Sequence, residues 1–248
     1  MPPIPASRHR SVRSGSRLAW PRRLVLAAAL WSALIPGSAG PGEQAPARVA
    51  DVFYVTDRSR ADPESGAAYG GDRGPVGQGR CSVAYSPIPV LESLAERLPF
   101  YVPEALQRVE VAPLEGRSAF LAALEQWLGA AAERGLVLFV HGYSQDFGRA
   151  CRRAAALQRA LGPHRRVVLF TWPSDGDPTE YASDTTDMQW SVPDLAGLIL
   201  DLSGRFGAER LQAVAHSMGA RAVMLALERL RCRSGSRSYL DDLVLVAP

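Results

Sequence analysis

The chain has 248 residues, an apolar fraction of 47% and a formal net charge of +3; this length fits one domain with or without a leader, and this composition excludes a wholly disordered chain. It contains no Lys and no Asn, so all 28 basic residues are Arg, which excludes P-loop and Schiff-base lysine chemistry. Six Arg and no acid fall within residues 1–39, leaving 22 Arg against 25 acids in the remainder; that mildly acidic, sign-interspersed body has no basic footprint for nucleic acid.

The first 39 residues read as a targeting segment. Arg8, Arg10, Arg13, Arg17, Arg22 and Arg23 precede an apolar stretch from Leu24 to Ile35, and Pro36-Gly37-Ser38-Ala39-Gly40 follows. That is the order of a signal peptide: basic region, apolar region, small-residue cleavage site. The apolar stretch is short of the roughly 20 residues that a membrane-spanning helix needs. The alternative is an uncleaved N-terminal anchor, and Arg22-Arg23-Leu24-Val25-Leu26 resembles a twin-arginine export signal. The expected location is therefore periplasmic or extracellular, with membrane contact only through this segment. Residues 40–48 read as a Pro/Gly/Ala linker and 49–248 as the folded domain.

Val52-Phe53-Tyr54-Val55-Thr56, rich in aromatic and β-branched residues, predicts the first strand. The glycine-rich stretch 66–79 has neither GxxxxGK[ST] nor GxGxxG spacing and reads as a flexible connection. Cys81–Tyr85 predicts the second strand. From Ser118, the spacing of Phe120, Leu124, Trp127, Leu128 and Ala131 predicts an amphipathic helix, closed by Gly135. Leu136–Val140 is apolar without alternation, as in a strand buried on both faces. A helix capped by Asp146 runs to Leu161 and stops at Gly162-Pro163. Val167–Phe170 predicts another buried strand.

A polar loop, Ser174 to Gln189, follows. Its Asp175, Asp177, Glu180, Asp184 and Asp187 read either as the lining of a substrate entrance or as a solvated acidic surface; EF-hand spacing is absent. Ser191 reads as the cap of the next helix, with Pro193 in its first turn and Asp194 three residues on. That helix turns Leu195, Leu198, Ile199, Leu202 and Phe206 to the core. Leu211–Val214 predicts a strand, then come a turn at Ser217 and a helix, and Leu243–Val246 predicts the last strand. Two early strands followed by alternating buried strands and helices predict an α/β fold, a mostly parallel sheet with helices on both faces. Cys81, Cys151 and Cys232 lack zinc-site spacing and read as small buried hydrophobes, though export would permit one disulfide. No metal and no cofactor are expected.

Ala215-His216-Ser217-Met218-Gly219 lies between a strand and a helix, the context in which a nucleophilic serine sits on a strained turn. Such a turn needs small residues two before and two after the serine, as Ala215 and Gly219 are. The Met218 N–H, at a helix N-terminus, is one expected oxyanion donor. The other is the Tyr143 N–H in His141-Gly142-Tyr143, where Gly142 permits close approach of the backbone. The bland reading of Ser217 is a helix N-cap. His141 reads as a structural histidine that orders its loop, and His216 as a packed side chain directed away from the nucleophile. His164 falls at the wrong end of the sheet and His9 in the leader, so no His reads as the general base. Asp241 and Asp242 precede the last strand and sit at its amino end, away from the site.

Taken together, Val52-Phe53-Tyr54-Val55-Thr56-Asp57-Arg58, Phe139-Val140-His141-Gly142-Tyr143, Phe170-Thr171-Trp172-Pro173-Ser174, Ala215-His216-Ser217-Met218-Gly219 and Leu243-Val244-Leu245-Val246-Ala247-Pro248 resemble a bacterial family of α/β-hydrolase-like proteins. That family was long catalogued as a domain of unknown function and is often described as esterase/lipase-like. The resemblance covers roughly residues 50–248. It implies Ser217 as nucleophile, Tyr143 and Met218 as oxyanion donors, and a small ester or acyl substrate. In the family an Asp commonly follows the Ala-Pro at which this sequence stops, and two further strands carry the remaining acid and a late His. The implied protein is a serine esterase/lipase-type hydrolase lacking its last strands, nearly inert without acid and base. The competing reading is a non-catalytic exported binding module on the same scaffold.

Overall fold

The apolar runs without alternation become the centre of one sheet. The computed structural model describes residues 48–85, 107–129, 135–234 and 237–247, which fall within a unit spanning 45–248. In chain order these residues form β1 (Arg48–Arg60), β2 (Tyr69–Tyr85), β3 (Gln107–Pro113), α1 (Arg117–Leu128), β4 (Gly135–Val140), α2 (Phe147–Leu161), β5 (Arg165–Thr171), α3 (Tyr181–Phe206), β6 (Leu211–His216), α4 (Met218–Ser234) and β7 (Asp242–Val246). The sheet order is β3-β2-β1-β5-β4-β6-β7. β1, β5, β4, β6 and β7 pair in parallel, while β2 runs antiparallel to β1 and to β3. The fold is thus α/β with a mostly parallel sheet, as the sequence predicts.

β4 is buried along its whole length, and β5 from Val167 onward. Alternate residues of these strands face two cores. Val55, Leu138, Val140, Val168 and Phe170 pack under α1, α3 and α4. Tyr54, Val137, Phe139, Val167 and Leu169 pack under α2. Helices therefore cover both faces, and the parallel pairing of β4 with β5 and β6 brings their carboxyl ends together at one edge.

Several expectations need correction. The expected leader over 1–39 and the linker lie outside the described residues, except that Arg48 already belongs to β1. From Tyr69 onward the glycine-rich stretch is strand, not a flexible connection: β2 pairs with β1 from Arg60↔Tyr69 to Arg48↔Tyr85. Its glycines are needed where backbones crowd; a Cβ on Gly74 would lie 2.6 Å from the Ser59 Cα. β3 went unpredicted because Gln107–Pro113 alternates small apolar and polar residues without a strong run. Helix α1 ends at Leu128 with Gly129 as its cap, and Gly135 opens β4 instead of closing the helix; Ala131 lies outside the described residues.

The predicted polar loop is largely helical. α3 starts at Tyr181, so Ser191 and Pro193 are internal, not caps. Ser191 Oγ donates to the Asp187 carbonyl one turn back, at 2.8 Å, and proline forfeits one backbone bond, a loss that a 26-residue helix with one buried face tolerates. Cys81 and Cys151 are buried as expected, but Cys232 is exposed.

Candidate active site

One residue separates β6 from α4. Ser217 takes φ +51° there, a left-handed conformation that costs a non-glycine residue roughly 1–2 kcal/mol and persists only where its surroundings hold it. They do. The Ser217 N–H donates to the Val246 carbonyl at 2.8 Å, and its own carbonyl accepts from the Ala220 N–H at 2.8 Å. Ser217 is half-buried, and its hydroxyl makes no hydrogen bond among the described residues.

Two glycines let the end of β4 interlock with this turn. A Cβ on Gly219 would lie 2.3 Å from the His141 carbonyl oxygen and 2.7 Å from that of Val140; one on Gly142 would lie 2.7 Å from His216 Nδ1 and 3.1 Å from Ser217 Cβ. Ala215 is buried beneath the turn, and Met218 and Gly219 begin α4. The sequence-predicted site residues therefore meet at one place: Ala215, Ser217, Met218 and Gly219 on the turn, His141, Gly142 and Tyr143 on the loop against it. The Tyr143 N–H makes no hydrogen bond among the described residues.

The loop after β4 is held from beneath. His141 is buried and stacked on Trp172 at 5.0 Å between ring centroids. Its Nδ1 lies 2.7 Å from the Gly142 carbonyl oxygen and its Nε2 lies 2.9 Å from Thr171 Oγ1. Burial, with the nearby Arg58 charge adding to it, pushes its pKa down to about 3, so the ring is neutral. The sequence reads His141 as a histidine that orders its loop; both of its ring nitrogens are engaged within the fold. Arg58, itself buried, donates from Nε to Thr171 Oγ1 at 3.1 Å. Its terminal nitrogens donate to the carbonyls of Gly70, Ser174 and Gln145 at 3.0, 2.8 and 2.6 Å. One guanidinium thus ties together β2 and the segments following β4 and β5. Burial lowers its pKa to about 10, which leaves it charged at neutral pH.

Asp184, fully buried in the first turn of α3, accepts from the Ser144 N–H at 2.9 Å and from Ser174 Oγ at 2.6 Å; Ser174 Oγ in turn accepts from the Gln145 N–H at 2.9 Å. The Tyr143 hydroxyl donates to the Pro178 carbonyl, and its ring meets Tyr181 edge-on at 5.2 Å. The acidic stretch therefore splits. Asp184 is internal scaffolding, whereas Asp175, Asp177 and Glu180 are exposed. His216 lies against Gly142 with its Nδ1 buried and unpartnered, and burial lowers its pKa, with Arg153 adding. His164 is exposed in the turn before β5, at the amino end of the sheet.

Arg58, Thr171, Ser174 and Asp184 escape sequence reasoning as site supports. Each signal was present: an Arg closing an apolar strand run, a Thr and a Ser flanking Trp172-Pro173, and an Asp within an acidic stretch. None says what it would touch until the chain is folded. Among the described residues, no group of three His, Cys, Asp or Glu is arranged to hold a metal ion, and no helix is long and apolar enough to cross a membrane. The cavity of about 360 Å³ between α1 and α3, lined by Val55, Gln78, Phe120 and Leu198, does not include Ser217.

Next to Val55 on that face of β1 is Asp57, fully buried with neither carboxylate oxygen hydrogen-bonded among the described residues. The nearby Ser191 hydroxyl is directed to Asp187 instead. Burial pushes the Asp57 pKa up to about 6, with the Asp194 charge adding. The folded state therefore holds this proton more tightly than the unfolded chain. The resulting stability is full below about pH 4 and is lost as pH rises through about 6. Asp57→Asn is expected to flatten that slope and to stabilise the fold by roughly 1–3 kcal/mol at pH 8. Urea unfolding of both proteins from pH 4 to 8 checks it; a constant difference between them would exclude Asp57 as the titrating group.

A family model described as an alpha/beta hydrolase of unknown function, DUF900, matches residues 117–248, from α1 onward. The uncharacterized protein alr1448 of Nostoc sp. is 28% identical over 130 residues, a match covering 42% of this chain and 34% of that protein. The chain thus spans about a third of the length of this curated relative. No solved structure matches.

Proposed function

The chain belongs to the DUF900 family of alpha/beta hydrolases of unknown function, and from that premise we propose that it is a serine hydrolase of esterase type, with Ser217 attacking the carbonyl of a small carboxylic ester. The observation that carries this reading is the left-handed Ser217 at φ +51°, half-buried between β6 and α4 with Gly142 against it. As the hydroxyl adds to the carbonyl, negative charge moves to the carbonyl oxygen. The N–H groups of Tyr143 and Met218 are the donors that receive it, Met218 with help from the α4 N-terminus. One such donor is worth roughly 3–4 kcal/mol in the transition state.

Proton removal is the weak step. His141 engages both ring nitrogens with Gly142 and Thr171, and no base contacts Ser217 Oγ among the described residues. Acyl transfer by these residues alone is therefore slow, on the order of 10³–10⁴ over water, as when a triad base is removed. The committed state of His141 also favours the second reading, a binding module that keeps the hydrolase scaffold. One experiment separates them. A fluorophosphonate probe is expected to label the protein, slowly, with labelling lost in Ser217→Ala. Labelling that persists in the variant excludes Ser217, and its absence from the unmodified protein after prolonged exposure favours the binding module.

A further inference from the structure

The geometry points to a buried hydrogen-bond relay, Arg58–Thr171–His141, that fixes the direction of the Tyr143 N–H and thereby positions the oxyanion donor; this rests on Ser217 being the nucleophile. The proton positions in the relay follow by elimination. A carbonyl oxygen only accepts, so the 2.7 Å contact with Gly142 O makes His141 Nδ1 the donor. A neutral imidazole that carries its proton on Nδ1 accepts at Nε2, so Thr171 Oγ1 donates there across 2.9 Å. The same oxygen then accepts from Arg58 Nε at 3.1 Å, and an arginine can only donate. Each hydrogen bond has one possible direction, and no two of them conflict.

The consequence reaches the reacting end through the peptide plane. All peptide bonds in the described residues are trans, so the Gly142 C=O and the Tyr143 N–H, which belong to one peptide unit, point in opposite directions. Holding the carbonyl inward on His141 turns the amide outward, on the loop that touches Ser217 through Gly142. The relay also begins at a charge. Arg58 polarises the Thr171 hydroxyl, which polarises the imidazole, which draws electron density through the Gly142 carbonyl and strengthens the amide as a donor. Arg58, Thr171 and His141 are positioning residues here: none contacts the substrate. Other loop contacts, such as the Ser144 N–H on Asp184, hold the next peptide along and leave this one free to rotate if the relay fails.

Thr171→Val tests it, because valine keeps the shape and removes only the hydroxyl that links Arg58 to His141; Thr171→Ser restores the hydroxyl. Two readouts are taken on the full chain. The first is NMR. His141 is expected as the Nδ1–H tautomer in the unmodified protein, and the Tyr143 amide proton is expected to shift upfield and exchange faster in Thr171→Val. The second is p-nitrophenyl acetate hydrolysis. Its kcat is expected to fall about 10- to 100-fold in Thr171→Val with KM changed less than about twofold, and to return in Thr171→Ser. An Nε2–H tautomer, an unmoved Tyr143 amide, or a change confined to KM overturns the relay. Failure of the hydrolase reading shows separately, as hydrolysis that survives Ser217→Ala; the NMR readout then decides the relay alone. The tautomer is read on the unmodified chain, so a variant that does not fold leaves the decision intact.

Discussion

Replacing Arg58 by methionine is expected to lower the unfolding free energy by about 3–5 kcal/mol. Two opposing terms decide the sign. Methionine removes the donors to the carbonyls of Gly70, Ser174 and Gln145 and to Thr171 Oγ1, and each buried acceptor left unmade costs about 1–3 kcal/mol. Against this, an apolar side chain no longer buries a charge. The depression of the Arg58 pKa from 12.5 to about 10 puts that relief at roughly 3 kcal/mol. The acceptors outnumber the relief, so destabilisation wins. Arg58→Lys keeps the charge but has three donors on one point and no planar fork, so its loss should be intermediate. Guanidinium unfolding followed by circular dichroism measures all three proteins. A methionine variant as stable as the original would mean that the loops after β4 and β5 are held without this hub.

Gly219→Ala is expected to cost about 2–4 kcal/mol of stability and to slow the reaction of Ser217 with a fluorophosphonate about 100-fold. Helix propensity argues the other way, since alanine in place of glycine gains about 1 kcal/mol inside a helix. The steric term is larger. The new methyl would sit 2.3 and 2.7 Å from two backbone oxygens at the end of β4, and a strand buried along its whole length has no room to retreat. The strand end and the turn must separate, which moves Gly142 and the loop it begins away from Ser217. Gly204→Ala in α3 is the internal control, because nothing lies within 4 Å of a Cβ there; it should stabilise by up to about 1 kcal/mol. Equal effects at the two glycines would remove the argument that close approach of β4 dictates Gly219.

How far the sequence could be read depended on which atoms made the contacts. α2 was legible to both ends, from Asp146, whose carboxylate accepts from the Arg149 N–H, to the Gly162 cap. Capping is a contact between near neighbours in the chain, so its signal is local. β4 and β5 were legible because burial on both faces leaves a run with no polar alternation. The start of α3 was not: it depends on Asp184 meeting Ser144 and Ser174 across a loop. Pro193 and Ser191 looked like the beginning of a helix and lie in its interior. The predicted strand Cys81–Tyr85 is the last part of β2, but its glycine-rich first part was not legible, because glycine signals flexibility in isolation and close packing once β1 lies alongside it.

By itself the sequence determined the α/β class, the strand–turn–helix around Ser217 and the small residues that the turn requires, since each follows from hydrophobic period, chain-local sterics or residue size. Only the tertiary structure decided what holds the site. It brought Arg58 from the first strand, Thr171 from the fifth and His141 from the loop after the fourth into one buried chain of hydrogen bonds, and it set Gly142 against the Ser217 turn. Hydrogen bonds between residues 30 or 113 positions apart leave no period in the sequence; they exist because parallel strands align their carboxyl ends, and that alignment is a property of the whole sheet.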